Sequence, residues 1–239
     1  EASWLGSTEV RLLSTRAEWH PRARMKMNDC PFCNIDRKRI ISYYDEFKNI
    51  KLGKPLIAKR HTLDDERIVQ YVSDKGAFGS GDVDWHNDWS YGSGNYFGTM
   101  LYNYKNGHLS ATDFVDMRHA YETYQDKDYL QSTTGNYFPP KDLHETHFTP
   151  RMLKIIEKAK VSRKFAHTHH ITGDTVMYIS PGTLQDEIDV SELVKHCEQY
   201  KYEHNWQDND ILIYDNLRYM HRRNAFEGER ELWRTQFWV

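Results

Sequence analysis

Five short runs of aromatic and β-branched residues recur between residue 97 and the C-terminus of this 239-residue chain. They lie at 97–105, 111–117, 175–181, 210–216 and 232–239. Such side chains favour β-strands, because branched and aromatic groups pack well on a pleated, half-buried surface. The runs predict a mainly β (α+β) fold, with a sandwich or jelly-roll core and helices on its outside.

Two segments outside these runs predict helices. The segment "TPRMLKIIEKAKVS" (149–162) offers Thr149 as its N-cap, directly before a proline that suits a first helical turn. In the segment "DVSELVKHCEQY" (189–200), Asp189 and Glu192 have the spacing of a capping box, with Asp189 as the N-cap. Both helices are expected to flank the β core.

The balance of charge excludes a broad class of partners. Lysine and arginine total 32 against 35 acidic residues, which gives a formal net charge of −3. A field of this size and sign does not attract a nucleic-acid backbone. No apolar run approaches the roughly 18 residues of a membrane span, and the N-terminal "EASWLGSTEV" lacks the basic-then-apolar order of a signal peptide. We therefore expect a cytoplasmic protein without nucleic-acid or membrane partners.

Three cysteines, Cys30, Cys33 and Cys197, are too few for a disulfide framework and fit a reducing compartment. Cys30 and Cys33 stand in "NDCPFCN", a spacing found in zinc sites and in redox pairs. A zinc site needs two further ligands at typical spacing, and a redox pair needs a strand-to-helix context, neither of which the sequence shows. We interpret both as ordinary thiols, with a metal or redox role as the alternative.

The stretch "DVDWHNDWSY" (82–91) places His86 and Asp88 two residues apart in a segment that is typical of a strand. Side chains at i and i+2 of a strand point to the same face, so these two could share one metal ion. About two H-x-[DE] matches are expected by chance in this composition. The other match, His196 with Glu198, falls inside a predicted helix, where residues two apart face different directions. The spacing at His86 is therefore weak evidence unless a third ligand accompanies it.

The C-terminal segment 210–239 supplies candidates for that third ligand. A strand is followed by a polar turn, then by His221, and then by a second strand that begins near Arg230 and places Arg234 on the same face. Two histidines and one carboxylate form the facial triad that holds non-haem Fe(II) and leaves positions open for other ligands. An arginine fork beside them matches the carboxylate of an organic acid.

With these motifs, the sequence resembles the Fe(II)/2-oxoglutarate-dependent oxygenases of the taurine dioxygenase and clavaminate synthase-like type. The resemblance extends from about residue 52 to the C-terminus, and residues 1–50 are interpreted as a variable N-terminal extension. No repeat, low-complexity tract or linker divides the chain, so 1–239 is expected to form a single oxygenase domain. The motifs are "DWHNDWSY", "FGTMLYNYKNGHLSATDFVDMRHAYETY", "HTHHITGDTVMYISPGT" and "YDNLRYMHRRNAFEGERELWR".

The resemblance implies a double-stranded β-helix (jelly-roll, cupin-like) core and specific roles for six residues. Three of them would be the catalytic iron ligands, namely His86, Asp88 and His221. Arg230 would bind the distal carboxylate of 2-oxoglutarate together with Thr112, and Arg234 would lie near the other end of this co-substrate or over the substrate.

The sequence departs from the family pattern at two points. The gap between His221 and Arg230 is shorter than is usual, which leaves Arg234 as the alternative co-substrate ligand, and "GHLSAT" replaces a glycine pair before the threonine.

The resemblance also implies the reaction. Fe(II), O₂ and 2-oxoglutarate would together hydroxylate or desaturate a small molecule, with release of succinate and CO₂. Two arginines in one pocket imply two bound anions, so an anionic or zwitterionic substrate is expected. A non-catalytic β-barrel that binds a metal or an organic anion is the alternative. A homo-oligomer is also compatible with the sequence.

The remaining histidines and aromatic residues have simpler interpretations. The histidines of "AHTHHITG", His167, His169 and His170, are expected to line a loop and not to bind a second metal ion. Aromatic residues near the first motif are expected to form core and pocket wall, because no basic groove accompanies them as in a nucleic-acid platform. They are Trp85, Trp89, Tyr91 and Tyr102.

Overall fold

A computed structural model describes the chain over nine ranges that include all six candidate site residues. The ranges are 10–13, 54–55, 70–76, 78–92, 96–139, 150–159, 161–170, 172–208 and 210–238. Cys30, Cys33 and Thr149 lie outside them, as do most of residues 1–50.

The larger of two principal β-sheets has six strands. Its first strand is parallel to its neighbour, and the other pairings are antiparallel. The order is β1 (Val10–Leu13), β12 (Ile211–Asp215), β5 (Tyr96–Lys105), β14 (Glu231–Trp238) and β2 (Lys54–Pro55), with β3 (Gln70–Ser73) also paired to β14. Residues 10–13, within the interpreted N-terminal extension, thus form an edge strand of this sheet, while the extent of the domain stays a prediction.

The smaller principal sheet has four antiparallel strands and carries the first motif. Its order is β11 (Lys201–His204), β6 (Thr112–Asp116), β13 (Tyr219–Arg223) and β4 (Val83–His86). Two short hairpin-like pairs complete the β structure. They join β7 (Thr134–Asn136) to β8 (Ser162–Lys164) and β9 (Ala166–Thr168) to β10 (Thr175–Met177).

Alternation along the smaller sheet places its two faces in different surroundings. Phe114 and Tyr219 pack with Leu212 and Leu232 of the larger sheet, so this face closes the interior between the sheets. Residues one position along the same strands, such as Met220, pack instead against the helices. The helices are α1 (Met117–Thr123), α2 (Lys127–Ser132), α3 (Pro150–Ala159) and α4 (Ser191–Glu198). Two facing sheets with helices outside are the predicted double-stranded β-helix.

Four of the five predicted strands are confirmed with shifts of one or two residues at their ends. The run 175–181 forms a strand only over Thr175–Met177. The chain leaves the ladder beyond it because Ser180 adopts a left-handed conformation, with φ of 36°, and Pro181 begins a short 3₁₀ helix.

The helix predictions are confirmed in place but not in every cap. The helix expected in 189–200 begins at Ser191, so Val190 is the N-cap and the assignment of Asp189 to that position was wrong by one residue. Asp189 still accepts a hydrogen bond from the Ser191 backbone N–H at 2.9 Å, which satisfies one of the helix's first donors. Among the described residues, no helix is long and apolar enough to cross a membrane.

Candidate metal centre

The two candidate histidines lie directly opposite one another on neighbouring strands. His86 of β4 pairs with His221 of β13 in the antiparallel ladder, and the centroids of their rings are 4.2 Å apart. Directly paired residues project to the same face of a sheet. That face is the interior one, because His221 is also paired with Phe114 of the core between the sheets. Strand pairing therefore brings together two imidazoles that are far apart in sequence.

Asp88 reaches the same space by a turn and not by strand alternation. The strand β4 ends at His86, and Asp88 follows in a turn, so the expectation that both residues lie on one strand was wrong. Asn216 holds this turn: its side-chain oxygen accepts a hydrogen bond from the Asp88 N–H, and its amide donates to the Asp88 carbonyl, both at 2.9 Å. Trp89 turns the chain away with a positive φ of 56°.

The three side chains form one group of possible metal ligands. Asp88 Oδ1 lies 3.5 Å from His86 Nε2 and 4.0 Å from His221 Nε2. One ligand atom from each residue lies within 4.8 Å of the other two, and no other such group of three or more occurs in the described ranges. Two imidazole nitrogens and one carboxylate oxygen at this spacing suit a divalent transition metal with open positions.

Hydrogen bonds set the tautomer of His86. Its Nδ1 lies 2.7 Å from the carbonyl oxygen of Asp84. A carbonyl only accepts, so Nδ1 carries the ring hydrogen and Nε2 keeps its lone pair towards the other ligands. At His221, the hydroxyl of Tyr214 lies 3.2 Å from Nε2, and a metal bound to this nitrogen would replace that hydrogen bond. A backbone oxygen that orients a histidine in this way is a common outer partner of a metal site.

The surroundings favour the protonation states that bind a metal. Burial, helped by the neighbouring His86, lowers the pKa of His221 to about 3, so this imidazole is neutral at physiological pH. Burial alone would raise the pKa of Asp88, but Arg234 and His86 hold it well below its usual range. Asp88 is therefore ionised. Metal binding then requires no proton to leave either side chain.

Two side chains of β14 restrain the Asp88 carboxylate. Gln236 Nε2 donates to Asp88 Oδ2 at 2.8 Å, and Arg234 Nη1 lies 3.3 Å from the same oxygen. The indole of Trp89 donates to Gln236 Oε1 at 3.2 Å and so orients the amide. Sequence reasoning missed Gln236. Its position two residues after Arg234, on the same strand face, was the signal that could have revealed it.

A cavity of about 60 Å³ adjoins the three ligands and is lined by both predicted arginines. Arg230 is 1% exposed, and its Nε and Nη2 donate to the carbonyl oxygens of Gly107 and Ser110 at 3.3 and 3.1 Å. Its Nη1 has no partner among the described residues. Burial, followed by repulsion from Arg223, lowers the pKa of Arg230 to about 9, which leaves it charged at neutral pH. A buried guanidinium of this kind is stabilised when an anion binds to it.

Thr112 lines the same cavity from β6. Its hydroxyl oxygen accepts a hydrogen bond from the indole of Trp206 at 3.0 Å, so the hydroxyl keeps its own hydrogen as a donor. Arg234 differs from Arg230 because it already lies beside a carboxylate, that of Asp88. Of the two guanidiniums, only that of Arg230 makes no ion pair to a carboxylate in the described part of the chain, whereas Arg234 would share the Asp88 carboxylate with a bound metal ion and keep part of its charge for an anion. The six candidate residues all line one cavity.

The remaining histidines have other contacts in the fold. His169 is buried, and its Nε2 lies 2.8 Å from Asp215 Oδ2. Its ring stacks on that of His170, and His167 lies on β9. None of the three belongs to a group of metal ligands in the described part of the chain.

The aromatic residues singled out near the first motif lie in the core or beside the Asp88 turn. Trp85 is a core residue, and Tyr102 of β5 is buried. The rings of Trp89 and Tyr91 pack 5.6 Å apart next to the Asp88 turn. None of the four lines the cavity, so the expectation of core residues is confirmed for Trp85 and Tyr102, and that of a pocket wall is not.

Comparison with solved structures shows the same fold in several oxygenases. A taurine dioxygenase from Burkholderia xenovorans is 17% identical, with a TM-score of 0.62 over 85% of this chain and 73% of that one. A putative alpha-ketoglutarate-dependent 2,4-D dioxygenase from the same organism is 21% identical, with a TM-score of 0.60 over 85% and 78%. An asparagine oxygenase in complex with Fe(II), 3-hydroxyasparagine and succinate is 17% identical, with a TM-score of 0.55 over 78% and 61%.

Sequence comparison gives a sharper result at the level of the family. No curated protein matches the chain significantly. The family model of the taurine catabolism dioxygenases, TauD and TfdA, matches residues 34–236, which include all six candidate residues. The chain therefore belongs to the TauD/TfdA family, whose members are Fe(II)- and 2-oxoglutarate-dependent dioxygenases.

Proposed function

We propose that this dioxygenase binds Fe(II) through His86, Asp88 and His221 and binds 2-oxoglutarate through Arg230 and Thr112. The observation that carries the proposal is a pre-arranged set of two histidines and one carboxylate beside a cavity that contains a buried guanidinium without a carboxylate partner. The metal ligands and the anion site line the same cavity, as a co-substrate that binds both would require.

The iron supplies the oxidising chemistry with O₂, using electrons from the decarboxylation of 2-oxoglutarate to succinate and CO₂. The side chains of this protein have separate tasks. Gln236 and Arg234 fix the Asp88 carboxylate, and the Asp84 carbonyl fixes His86. Arg230, almost fully buried, orients the organic acid by its far carboxylate. Because Asp88 keeps a carboxylate at a position that family halogenases leave open for chloride, we assign a hydroxylation or desaturation.

The substrate we propose is a small anionic or zwitterionic molecule. The side chain of Arg234 is 18% exposed, whereas Arg230 is 1% exposed, so Arg234 lies towards the outside of the cavity. A guanidinium there can contact an anion that enters after the co-substrate. The related structures are named for taurine, 2,4-D and asparagine, all of which carry a sulfonate or a carboxylate. Cytoplasmic location and self-association stay predictions.

The first test is a spectrum of the wild-type protein. Under anaerobic conditions, addition of 2-oxoglutarate to the Fe(II)-loaded protein is expected to produce a weak visible charge-transfer band, because the keto group of the acid would be a ligand of the iron held by His86, Asp88 and His221. Replacement of 2-oxoglutarate by glutarate, which has no keto group, is the control and is expected to give no band. Absence of the band in folded, metal-loaded protein would favour the non-catalytic metal- or anion-binding alternative.

The second test is a panel of substrates. We expect amino acids, sulfonates or aryloxy acids to stimulate 2-oxoglutarate decarboxylation, measured as succinate formed, and neutral terpenoids to have no effect. The physical reason is the charge of Arg234 at the outer part of the cavity. Stimulation by the neutral compounds alone would contradict the proposed substrate class while leaving the dioxygenase assignment intact.

A further inference from the structure

We propose that Arg223 is a second guanidinium of the co-substrate site, which binds the distal carboxylate of 2-oxoglutarate jointly with Arg230 and fastens the loop 78–81 to that carboxylate. This inference rests on the proposed function. Neither the sequence motifs nor the comparisons assign a role to Arg223.

The position of Arg223 follows from the strand that carries the metal ligand. Arg223 lies two residues after His221 on β13 and is paired with Thr112 on β6. Residues two apart share a face, so Arg223 and His221 both face the cavity, which Arg223 lines. Their separation along the strand is about 6.6 Å. This is comparable to the length of a five-carbon diacid with one end at the metal.

Described carboxylates balance the charge at this end of the cavity only in part: Asp82 favours the charged form of Arg223 from a distance, without forming an ion pair. Neither Arg223 nor Arg230 makes an ion pair within 4.0 Å to a described carboxylate. Both are buried, and each has one nitrogen without a hydrogen-bond partner in the described part of the chain: Nε of Arg223 and Nη1 of Arg230. Two buried like charges without an anion are costly. A ligand carboxylate offsets that cost.

Both guanidiniums contact the same aromatic ring. The guanidinium carbon of Arg223 lies 4.7 Å from the centroid of the Phe226 ring, and that of Arg230 lies 5.5 Å from it. The neighbouring Arg222 shows the contrast, because its guanidinium is paired with Asp113 at 2.9 Å and with Glu198 at 2.7 Å. The two successive arginines of β13 therefore have different partners. Arg222 is paired with acidic side chains, whereas Arg223 has no such ion pair and is available to a ligand.

Arg223 also holds a loop that forms part of the cavity wall. Its Nη1 donates to the carbonyl oxygen of Gly79 at 3.1 Å, and its Nη2 donates to those of Phe78 and Gly81. Phe78 lines the cavity, and its ring centroid lies 6.4 Å from that of His86. A carboxylate bound to Arg223 therefore also stabilises the position of Phe78 near the metal ligands.

The test compares two keto acids on the variant Arg223→Met. Equilibrium binding is measured by calorimetry on Mn(II)-loaded protein, in which no turnover occurs. We expect 2-oxoglutarate to bind about 10- to 100-fold more weakly, the range for loss of one charge-assisted contact. Binding of 2-oxopentanoate, which has the keto acid but lacks the distal carboxylate, is expected to change little, as is binding of Mn(II). Equal weakening of both keto acids, or of neither, would overturn the proposal.

Two further variants make the result specific. Arg118→Met removes a half-buried guanidinium of α1 that is paired with Glu122 and Asp174 and does not line the cavity, and this variant is expected to bind both keto acids as the wild type does. Arg223→Lys keeps the charge without the fork, so it is expected to weaken 2-oxoglutarate selectively but less than methionine does. If Arg223→Met does not fold, the affinities of Arg223→Lys for the two keto acids are measured instead. Selective weakening of 2-oxoglutarate supports the proposal, and equal weakening of both keto acids, or of neither, overturns it.

Failure of this inference is distinguishable from failure of the proposed function. A wild-type protein that binds no 2-oxoglutarate would refute both. A wild-type protein that binds 2-oxoglutarate, with an Arg223 variant that binds it equally well, would refute only the role of Arg223.

Discussion

Asp88→Ala is expected to abolish 2-oxoglutarate turnover and to weaken Fe(II) binding. Loss of one of three protein ligands should cost more than the roughly 10- to 100-fold that loss of an outer partner costs. The variant also leaves Arg234 and Gln236 without the carboxylate that they contact, so the anionic part of the site disappears entirely. Succinate formation and metal affinity, measured side by side, check this prediction.

Two companions control for folding. Asp88→Asn keeps the shape of the side chain but not its charge, so it should remain folded and still lose most turnover. Asp128→Ala removes an exposed carboxylate in the first turn of α2, outside the cavity, and should behave as the wild type does. Circular dichroism verifies that all three proteins are folded. Normal succinate production by folded Asp88→Ala would eliminate this triad as the metal site.

Arg230→Met is expected to raise the KM for 2-oxoglutarate by roughly ten- to a hundred-fold, which corresponds to about 1.5–3 kcal/mol for a lost charge-assisted contact. Fe(II) affinity should stay near the wild-type value, because Arg230 does not contact any of the three ligands. Steady-state kinetics with 2-oxoglutarate varied, together with a separate metal titration, measure the two quantities independently.

Arg234→Met is the matched comparison, since it removes the same group from the same cavity. We expect it to affect turnover with the primary substrate and the restraint on Asp88 more than the KM for 2-oxoglutarate. The opposite pattern, an unchanged KM in Arg230→Met and a large increase in Arg234→Met, would show that the short turn after His221 exchanges the two roles.

Local sequence patterns were sufficient to predict those site residues whose positions depend on a single segment of the chain. Arg230 and Arg234 line one cavity as expected, although Arg230 directly precedes β14 and is not part of it, and the aromatic runs located β5, β12 and β14. Asp88 was identified for a reason that the structure does not support, because a turn and not a strand carries it.

The remaining features depend on pairings that no local pattern specifies. The opposition of His86 and His221 is a consequence of which strands are neighbours, as are the contacts of Gln236 and Asn216 with Asp88. Strand alternation puts Arg223 on the face of His221 and Arg222 on the other, but the acids that pair with Arg222, Asp113 and Glu198, come from other elements and could not be read from the sequence. Helix caps were uncertain by one residue, since Asp189 can satisfy a backbone donor from just outside the cap position.

The pair of hydrogen bonds between Asn216 and the backbone of Asp88 joins segments 128 positions apart in the chain. Contacts of such long range form late, because the entropy of closing the intervening loop must be overcome first. Before β4 and β13 pair, His86 and Asp88 are already neighbours in the chain, whereas His221 lies far from both in sequence. The complete group of three ligands is therefore a property of the folded sheet and not of any one segment of the chain.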